Sequence, residues 1–539
     1  MSRIHITIPG FKGGQAQNLY DPVQNQTFQS SRNLKVIGEE NMLTPVPALT
    51  SVLPPTHGSD SDFQALNIIE GSDSNYYIIG ALTDSSANET GLFSTPVSAF
   101  DSDPTWTRKT GDTAVGNTLA PLEEHRSGIY WGRSTELHRW GFSDSTDTSI
   151  STGLTTALTF LRHNPGTGIL HFIHGGGTLI GRHNRSDSTI TLNSLTLTDD
   201  DEAVGIEPWG RFNIIGVRNS AKEDRFLIWD GSASSVDDVL PTKDRGLQAF
   251  RISGNTIHYL VSRLTSSVRE NLIRYYTLSI SGGKPKLVRE FKLGAVTTGN
   301  LTGVEPRAVD FDKDVFTFGF NIGVSSLLDQ VIWAYGNGGQ EFNDILVPFR
   351  TTVDGSTTNK RFLVNKHFSA HNIIIWRNDA GTKPYNIEAS NLTANLTDDG
   401  VYETNVFPLN KDYPGLPAQI KRIYINHEPL PDSTGFTVAI RHYGQYPWGD
   451  SSVVIGADSF TDLITAQGVD TGDSTEGKTQ SKNGAAFTEI EGKDTASNNA
   501  FDVARYGRLR IRFNETNGST AATIIFPIVV EVETDISRP

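Results

Sequence analysis

Apolar residues in this chain fall in short bursts rich in Ile, Val, Phe, Tyr and Trp, each closed by Gly, Asn, Asp or Ser. Nowhere do they recur over a long stretch at the i, i+3, i+4, i+7 spacing of an amphipathic helix. The pattern predicts strands joined by tight turns, and neighbouring bursts pair as hairpins. One begins at Tyr76-Tyr77-Ile78-Ile79. Ile129-Tyr130-Trp131 returns through Leu137 to Phe142, and Ile169 to His174 turns on Gly175-Gly176-Gly177. Phe212 to Val217 returns through Phe226 to Gly231, Ile257 to Val261 through Ile273 to Leu278, and Val315 to Phe320 through Val331 to Tyr335. The starts lie about 40 to 58 residues apart, near the repeat length of propeller blades.

A four-stranded blade buries both its faces only by stacking between neighbours, so several must close into a circle. The fold class expected is therefore all-β: an irregular six- or seven-bladed β-propeller over residues 61–395. Arg361 to Val364 with Ile373 to Trp376 supply a late blade, and Ile4-His5-Ile6-Thr7-Ile8 is a candidate for the strand that completes it. A run of unrelated sandwiches fits the same strand spacing.

Beyond residue 395 the strands alternate. Phe436, Val438 and Ile440 share one face against Thr437, Ala439 and Arg441, and Leu509, Ile511 and Phe513 face inward against Arg508, Arg510 and Arg512. One-sided burial of this kind predicts a C-terminal β-sandwich over 396–539, with Pro527 placing its last strand at an edge or a bulge. Residues 1–60, rich in Asn, Gln, Ser and Pro, are expected to form an extended N-terminal arm that gains order on a partner.

Composition narrows the chemistry. At 539 residues with 36% hydrophobic and 20% charged residues, the chain is apolar enough to fold and long enough for more than one domain. It has no cysteine, which excludes disulfides, thiolate nucleophiles and Cys-ligated zinc. The net charge of −15 opposes general binding of DNA or RNA through the phosphate backbone. No run is long and apolar enough for a bilayer span, and the opening residues lack the apolar core of an export signal.

Several motifs invite a chemical reading and most have a plainer one. Gly472 to Thr479 matches the spacing of a phosphate-binding loop, but turn residues follow where a helix is needed and no apolar strand ending in a magnesium-binding Asp lies nearby, so a loop in the sandwich is expected. His171 and His174 stand three apart on one strand, on opposite faces, and are expected as partly exposed strand histidines rather than a metal pair. Asp310, Asp312 and Asp314 lack the Gly and Glu of a calcium loop. Asp199-Asp200-Asp201-Glu202 is expected as a solvated loop. A glycosidase needs two carboxylates across a cleft, and pairs such as Glu123 with Asp230 are not placed by sequence. The aromatic loop Tyr443, Tyr446 and Trp448 is the candidate contact for a partner or glycan, with packing onto the sandwich as its alternative. No catalytic residue, cofactor or metal site is expected, and the chain is not expected to be an enzyme.

Two resemblances follow. Asp101 to Trp106 is similar to the Asp-box turn of sialidase-like propellers, with Asp103 where that motif has Gly and Ala99 where it has Ser. It bears on the fold alone. Ile8 to Gly14, Ser31-Arg32-Asn33-Leu34 and Thr44-Pro45-Val46-Pro47 at the start, with Gln419 to Ile425, Phe436 to Arg441 and Gly507 to Phe513 near the end, carry the second. With them, the whole layout resembles bacteriophage tail structural proteins in which an arm leads into a propeller and then a β-sandwich. It implies a virion component of hub, nozzle or adaptor type, assembled in the host cytoplasm. Several copies, as in a hexamer, would form a homo-oligomeric ring among other tail proteins, through which DNA passes without sequence-specific binding. A glycan-binding receptor protein of the same particle and a propeller glycosidase are the competing expectations.

Overall fold

The computed structural model describes residues 2–10, 14–15, 27–32, 34–35, 42–45, 47–52, 62–71, 73–83, 90–99, 104–112, 122–125, 128–142, 146–184, 189–263, 272–292, 309–312, 315–324, 327–337, 344–353, 357–364, 373–379, 387–395, 400–428, 434–443, 460–467, 479–482, 485–491, 503–515 and 523–534. The fold is all-β. The chain divides into two compact units, one made of Met1–Leu49, Val331–Thr351 and Asn391–Pro539, the other of Thr50–Gln330 and Thr352–Ser390.

Among the described residues there are seven four-stranded antiparallel sheets. Six are meanders, in the residue ranges 62–112, 122–151, 160–196, 201–241, 247–292 and 309–353. The seventh joins the strands of 357–395 to Pro47–Val52 at its outer edge. The first strand of each sheet lies beside the first strand of the next, and that of the seventh lies beside that of the first, so the circuit closes. This is a propeller-type arrangement, and it accounts for the recurring apolar bursts. The expected hairpins at 129, 169, 212, 257 and 315 are the two central strands of the second to sixth sheets, and in the second to fifth they are the most apolar because both their faces are covered.

Side chains show the two-sided burial directly. On the strand Gly128–Arg133, Ile129 and Trp131 join Ile69, Ile79 and Leu92 of the first sheet, while Tyr130 joins Leu161, Leu170 and Phe172 of the third. On the fourth sheet, Ile215, Leu227 and Trp229 face Phe160 and Ile173 of the third, whereas Ile214, Phe226 and Ile228 face Leu247, Phe250 and Tyr259 of the fifth. Tyr275 continues the series, with its ring 5.5 Å from those of Phe316 and Phe318. Gly181 lets two strands close tightly, since a Cβ there would fall 2.1 Å from the Phe172 ring. The predicted turn at Gly175-Gly176-Gly177 has φ of 62°, 66° and 93°, a left-handed run that only glycine adopts without strain.

The other unit contains an eight-stranded and a seven-stranded sheet whose inner faces share one apolar cluster, including Ile420, Ile423, Phe436, Val438, Ile440, Leu509, Ile511 and Val530. The alternation expected for Phe436 to Ile440 and Leu509 to Phe513 is present, with all six inward residues 1% exposed or less. Pro527 falls at a bulge in the strand Ile524–Thr534, where the pairing with Ala418–His427 shifts register. That strand is central in its sheet, flanked by Ala418–His427 and Ser2–Ile8.

Three expectations are corrected. Ile4 to Ile8 does not complete a propeller sheet: Ser2–Ile8 runs antiparallel to Ile524–Thr534, with Ile4 opposite Val532 and Ile8 opposite Ile528. Its alternation explains this, because Ile6 and Ile8 are buried while Arg3, His5 and Thr7 are exposed, which suits a sheet covered on one face. The completing strand is Pro47–Val52. The described strands between Ser2 and Val52 do not form a separate extended arm but are built into three sheets of this chain. Finally, Arg508 and Arg510 do not point into solvent. Both pair with Glu403, Arg510 Nε at 2.7 Å, and Arg510 lies over the Phe460 ring at 3.8 Å.

Candidate functional site

The polar groups that the fold gathers lie on the first strands of consecutive sheets. The strand Phe160–Asn164 follows an apolar pair with Arg162, Asp201–Trp209 follows Gly205-Ile206 with Glu207, and Leu247–Ser253 follows Ala249-Phe250 with Arg251. Because these strands lie side by side, the charges meet. Arg162 Nη2 donates to Glu207 Oε2 at 2.9 Å, and Arg251 Nη1 donates to Glu207 Oε1 at 2.7 Å. Arg162 Nη1 also stands 3.9 Å from Glu123 Oε2 on the second sheet, and the His163 N–H donates to Glu123 Oε1 at 3.3 Å. Glu123, Arg162, Glu207 and Arg251 thus form a row of alternating sign across four sheets. The side chains of Glu207 and Arg251 keep only 4% and 9% of their exposure.

Further bonds cross the same joints. Asn164 Nδ2 donates to the Phe212 carbonyl and to Asn213 Oδ1, both at 3.0 Å. The Leu247 N–H donates to Asp224 Oδ2 at 2.6 Å, and the Arg218 guanidinium donates to the Leu247 carbonyl at 2.9 Å and 3.1 Å. Imidazoles collect beside the row: the His125 ring lies 4.8 Å from His163, 5.5 Å from His183 and 5.3 Å from Tyr130.

His171 and His174 do lie apart, but both are fully buried rather than partly exposed. His171 packs against the Trp229 ring at 5.2 Å, and burial, then the charge of Arg182, then His163, push its pKa down to about 3. His174 accepts the Thr155 N–H at Nδ1 and donates from Nε2 to the Leu192 carbonyl, and burial lowers its pKa as well. The run Asp199 to Glu202 is not simply a solvated loop. Asp201 is buried, accepting from Asn219 Nδ2 at 2.6 Å, Arg225 Nη2 at 2.6 Å and Thr198 Oγ1 at 2.8 Å. Asp230 caps its own turn, accepting the N–H groups of Ser232 and Ala233. Glu123 is engaged in the row described above.

Of the aromatic candidates, Tyr443 ends the strand Thr434–Tyr443 opposite Tyr506, is 9% exposed, and has the Arg441 guanidinium 4.9 Å over its ring. Tyr446 and Trp448 lie outside the described residues, as do Gly472 to Lys478, Asp314, and Asp101 to Asp103 of the Asp-box-like turn. Among the described residues no group of three His, Asp or Glu side chains is placed to hold a metal ion, and no helix is long and apolar enough to cross a membrane.

Sequence reasoning missed the charged row. Part of its signal was present, since Arg162, Glu207 and Arg251 each follow two residues without polar side chains in successive first strands, with alternating sign. It becomes recognisable only once first strands are known to be neighbours.

No protein-family model matches the chain, and no curated protein does. Among solved structures, a chain of the "Crystal Structure of Mitotic Checkpoint Complex" is similar over 70% of this chain and 96% of its own, at 12% identity and a TM-score of 0.39. The Neurospora crassa Pan2 WD40 domain is similar over 64% of this chain and 95% of its own, at 10% identity and a TM-score of 0.40. The RRP9 WD40 repeats are similar over 65% of this chain and 99% of their own, at 11% identity and a TM-score of 0.40. The functional reading below rests on this chain's own residues.

Proposed function

We propose that this chain is a structural component of a bacteriophage tail, of hub, nozzle or adaptor type, built as a seven-bladed β-propeller with a β-sandwich. In this reading several copies form a ring around the path by which DNA leaves the particle. The observation that carries the proposal is the charged row across the first strands. Glu123, Arg162, Glu207 and Arg251 are spent on joining one sheet to the next, with Glu207 held between two arginines. A glycosidase of the common two-carboxylate kind needs one acid free to give its proton and another facing the sugar. An arrangement that fixes both carboxylates of the row in ion pairs favours a rigid building block.

The layout of short motifs shared with tail proteins supports the same reading. So does the net charge of −15, since a surface that repels phosphate lets DNA slide without sticking. The test is the mass of the full chain under native conditions, together with peptide mapping of purified particles. A defined ring of several copies and its presence in the particle are expected. A chain that stays monomeric at micromolar concentration and is missing from particles would refute the proposal.

A further inference from the structure

A pocket of about 210 Å³ opens between the first two sheets, lined by Gly71, Asp73, Tyr77, Ile79, Ser94, Lys109, Trp140 and Phe142. Its walls are aromatic: the Trp140 and Phe142 rings meet edge to face at 5.7 Å, and Tyr77 stands on the neighbouring strand. Its rim is charged. Asp73 sits in a tight turn where Ser74 has a φ of 61°, and accepts from Tyr77 Oη and Asn75 Nδ2 at 2.8 Å each. Lys109 lies at a bulge, between Arg108 opposite Phe93 and Thr110 opposite Leu92, and its Nζ is 5.5 Å from the centre of the Trp140 ring. Bulges commonly re-aim a side chain toward a site. Among the described residues neither Asp73 nor Lys109 forms an ion pair, although both line the same small space.

The pocket therefore offers an ammonium donor, a carboxylate acceptor and an aromatic wall in which Tyr77 and Phe142 are half-buried and Trp140 is 6% exposed. At 210 Å³ it falls below the ~300–1,000 Å³ typical of drug-sized ligands, so it suits one ring.

We propose that this pocket binds a single sugar ring, free or as the end of a longer glycan. A sugar matches both kinds of lining group, with an apolar face for the aromatic wall and a rim of hydroxyls that donate to Asp73 and accept from Lys109. A purely aromatic ligand leaves the charges unmatched, and an inorganic anion is opposed by Asp73. The site stands on the first two sheets alone and is independent of the tail assignment.

The test uses the full chain with a panel of free hexoses, N-acetylhexosamines and their methyl glycosides, followed by saturation-transfer NMR and calorimetry. A glycan array separates recognition of a terminal residue from binding of the free sugar. Saturable binding of at least one panel member is expected, weakened about ten-fold by Lys109→Met with the thermal melt unchanged. Asp73→Asn is expected to weaken the same ligand too, with a small drop in the melt because the turn also loses an acceptor. Absence of saturable binding across the panel and array into the tens of millimolar overturns the proposal. Binding that both rim variants leave intact overturns it too.

Discussion

If the charged row holds adjacent sheets together, removing its central acid should be costly and removing the whole pair should not. Glu207 stands 2.7 Å from Arg251 and 2.9 Å from Arg162, and its side chain is 4% exposed. In Glu207→Leu the Arg251 guanidinium stays 9% exposed with its charge uncompensated. Breaking a buried pair on one side costs about 3–5 kcal/mol. Arg162 is 31% exposed and can turn to water, so its share is only about 0–1 kcal/mol. The double variant Glu207→Leu/Arg251→Met removes the stranded charge and should recover most of the loss, because well-packed apolar replacements of a buried pair are often neutral.

Urea unfolding followed by tryptophan fluorescence gives the overall loss. Amide exchange read by mass spectrometry places it, with the strand Leu247–Ser253 opening roughly a hundred-fold to a few thousand-fold more often in the single variant. The reasoning fails if Glu207→Leu costs less than about 1 kcal/mol. It also fails if the double variant is as unstable as the single, since the cost would then lie in packing around Glu207 and not in charge.

Other expectations can be checked alongside. His171 has a folded pKa of about 3 against 6.5 in the open chain, so the unfolded state takes up a proton that the fold refuses. The stability it protects is complete above pH 6.5 and lost as pH falls toward 3, by about 2 kcal/mol at pH 5, and His171→Leu should flatten the wild-type slope of stability against pH over that window. Gly181→Ala pushes a methyl group into the buried Phe172 ring and toward the Leu192 carbonyl, and a loss of about 1–3 kcal/mol is expected in denaturant titration. Deleting residues 1–9 strips the buried Ile6 and Ile8 from the strand Ile524–Thr534, so protection from exchange there should fall by about 3–6 kcal/mol. Unchanged exchange in that strand would restore the separate extended arm expected from sequence.

The central strands were legible from sequence because burial on two faces leaves a dense apolar signature, as in Ile129-Tyr130-Trp131 and Phe226-Leu227-Ile228-Trp229. First and fourth strands were less visible. Glu207 and Arg251 interrupt the apolar run of two first strands, and the outer strand Asp238–Pro241 is mostly exposed. The destination of residues 1–60 was hidden for a different reason: strand pairing across hundreds of residues is decided by which face a partner sheet leaves open, and local composition does not record that. Buried charge was hidden too. Arg510 and Asp201 look like solvent-facing residues until Glu403 in one case, and Arg225 with Asn219 in the other, are found beside them. The sugar pocket combines Tyr77, Lys109 and Trp140 from three separate strands, so no contiguous motif announces it.

The connectivity also constrains the order in which this protein can be completed. The sheets over 122–151, 160–196, 201–241 and 247–292 are local meanders, and each can pair its own strands as soon as its residues are made. The strand Pro47–Val52 must instead wait for Ile387–Asn395, and Ser2–Ile8 must wait for Ile524–Thr534. Until then the N-terminal segment has no sheet to join, and the seventh sheet has an open edge of the kind that invites pairing with another chain. Using an early strand to finish a late sheet removes that edge with a segment always present on the same molecule, at an effective concentration a second copy does not match. The same device makes the seventh sheet depend on two segments far apart in the chain, which suits a part that must be rigid once finished more than one that opens and closes as it works.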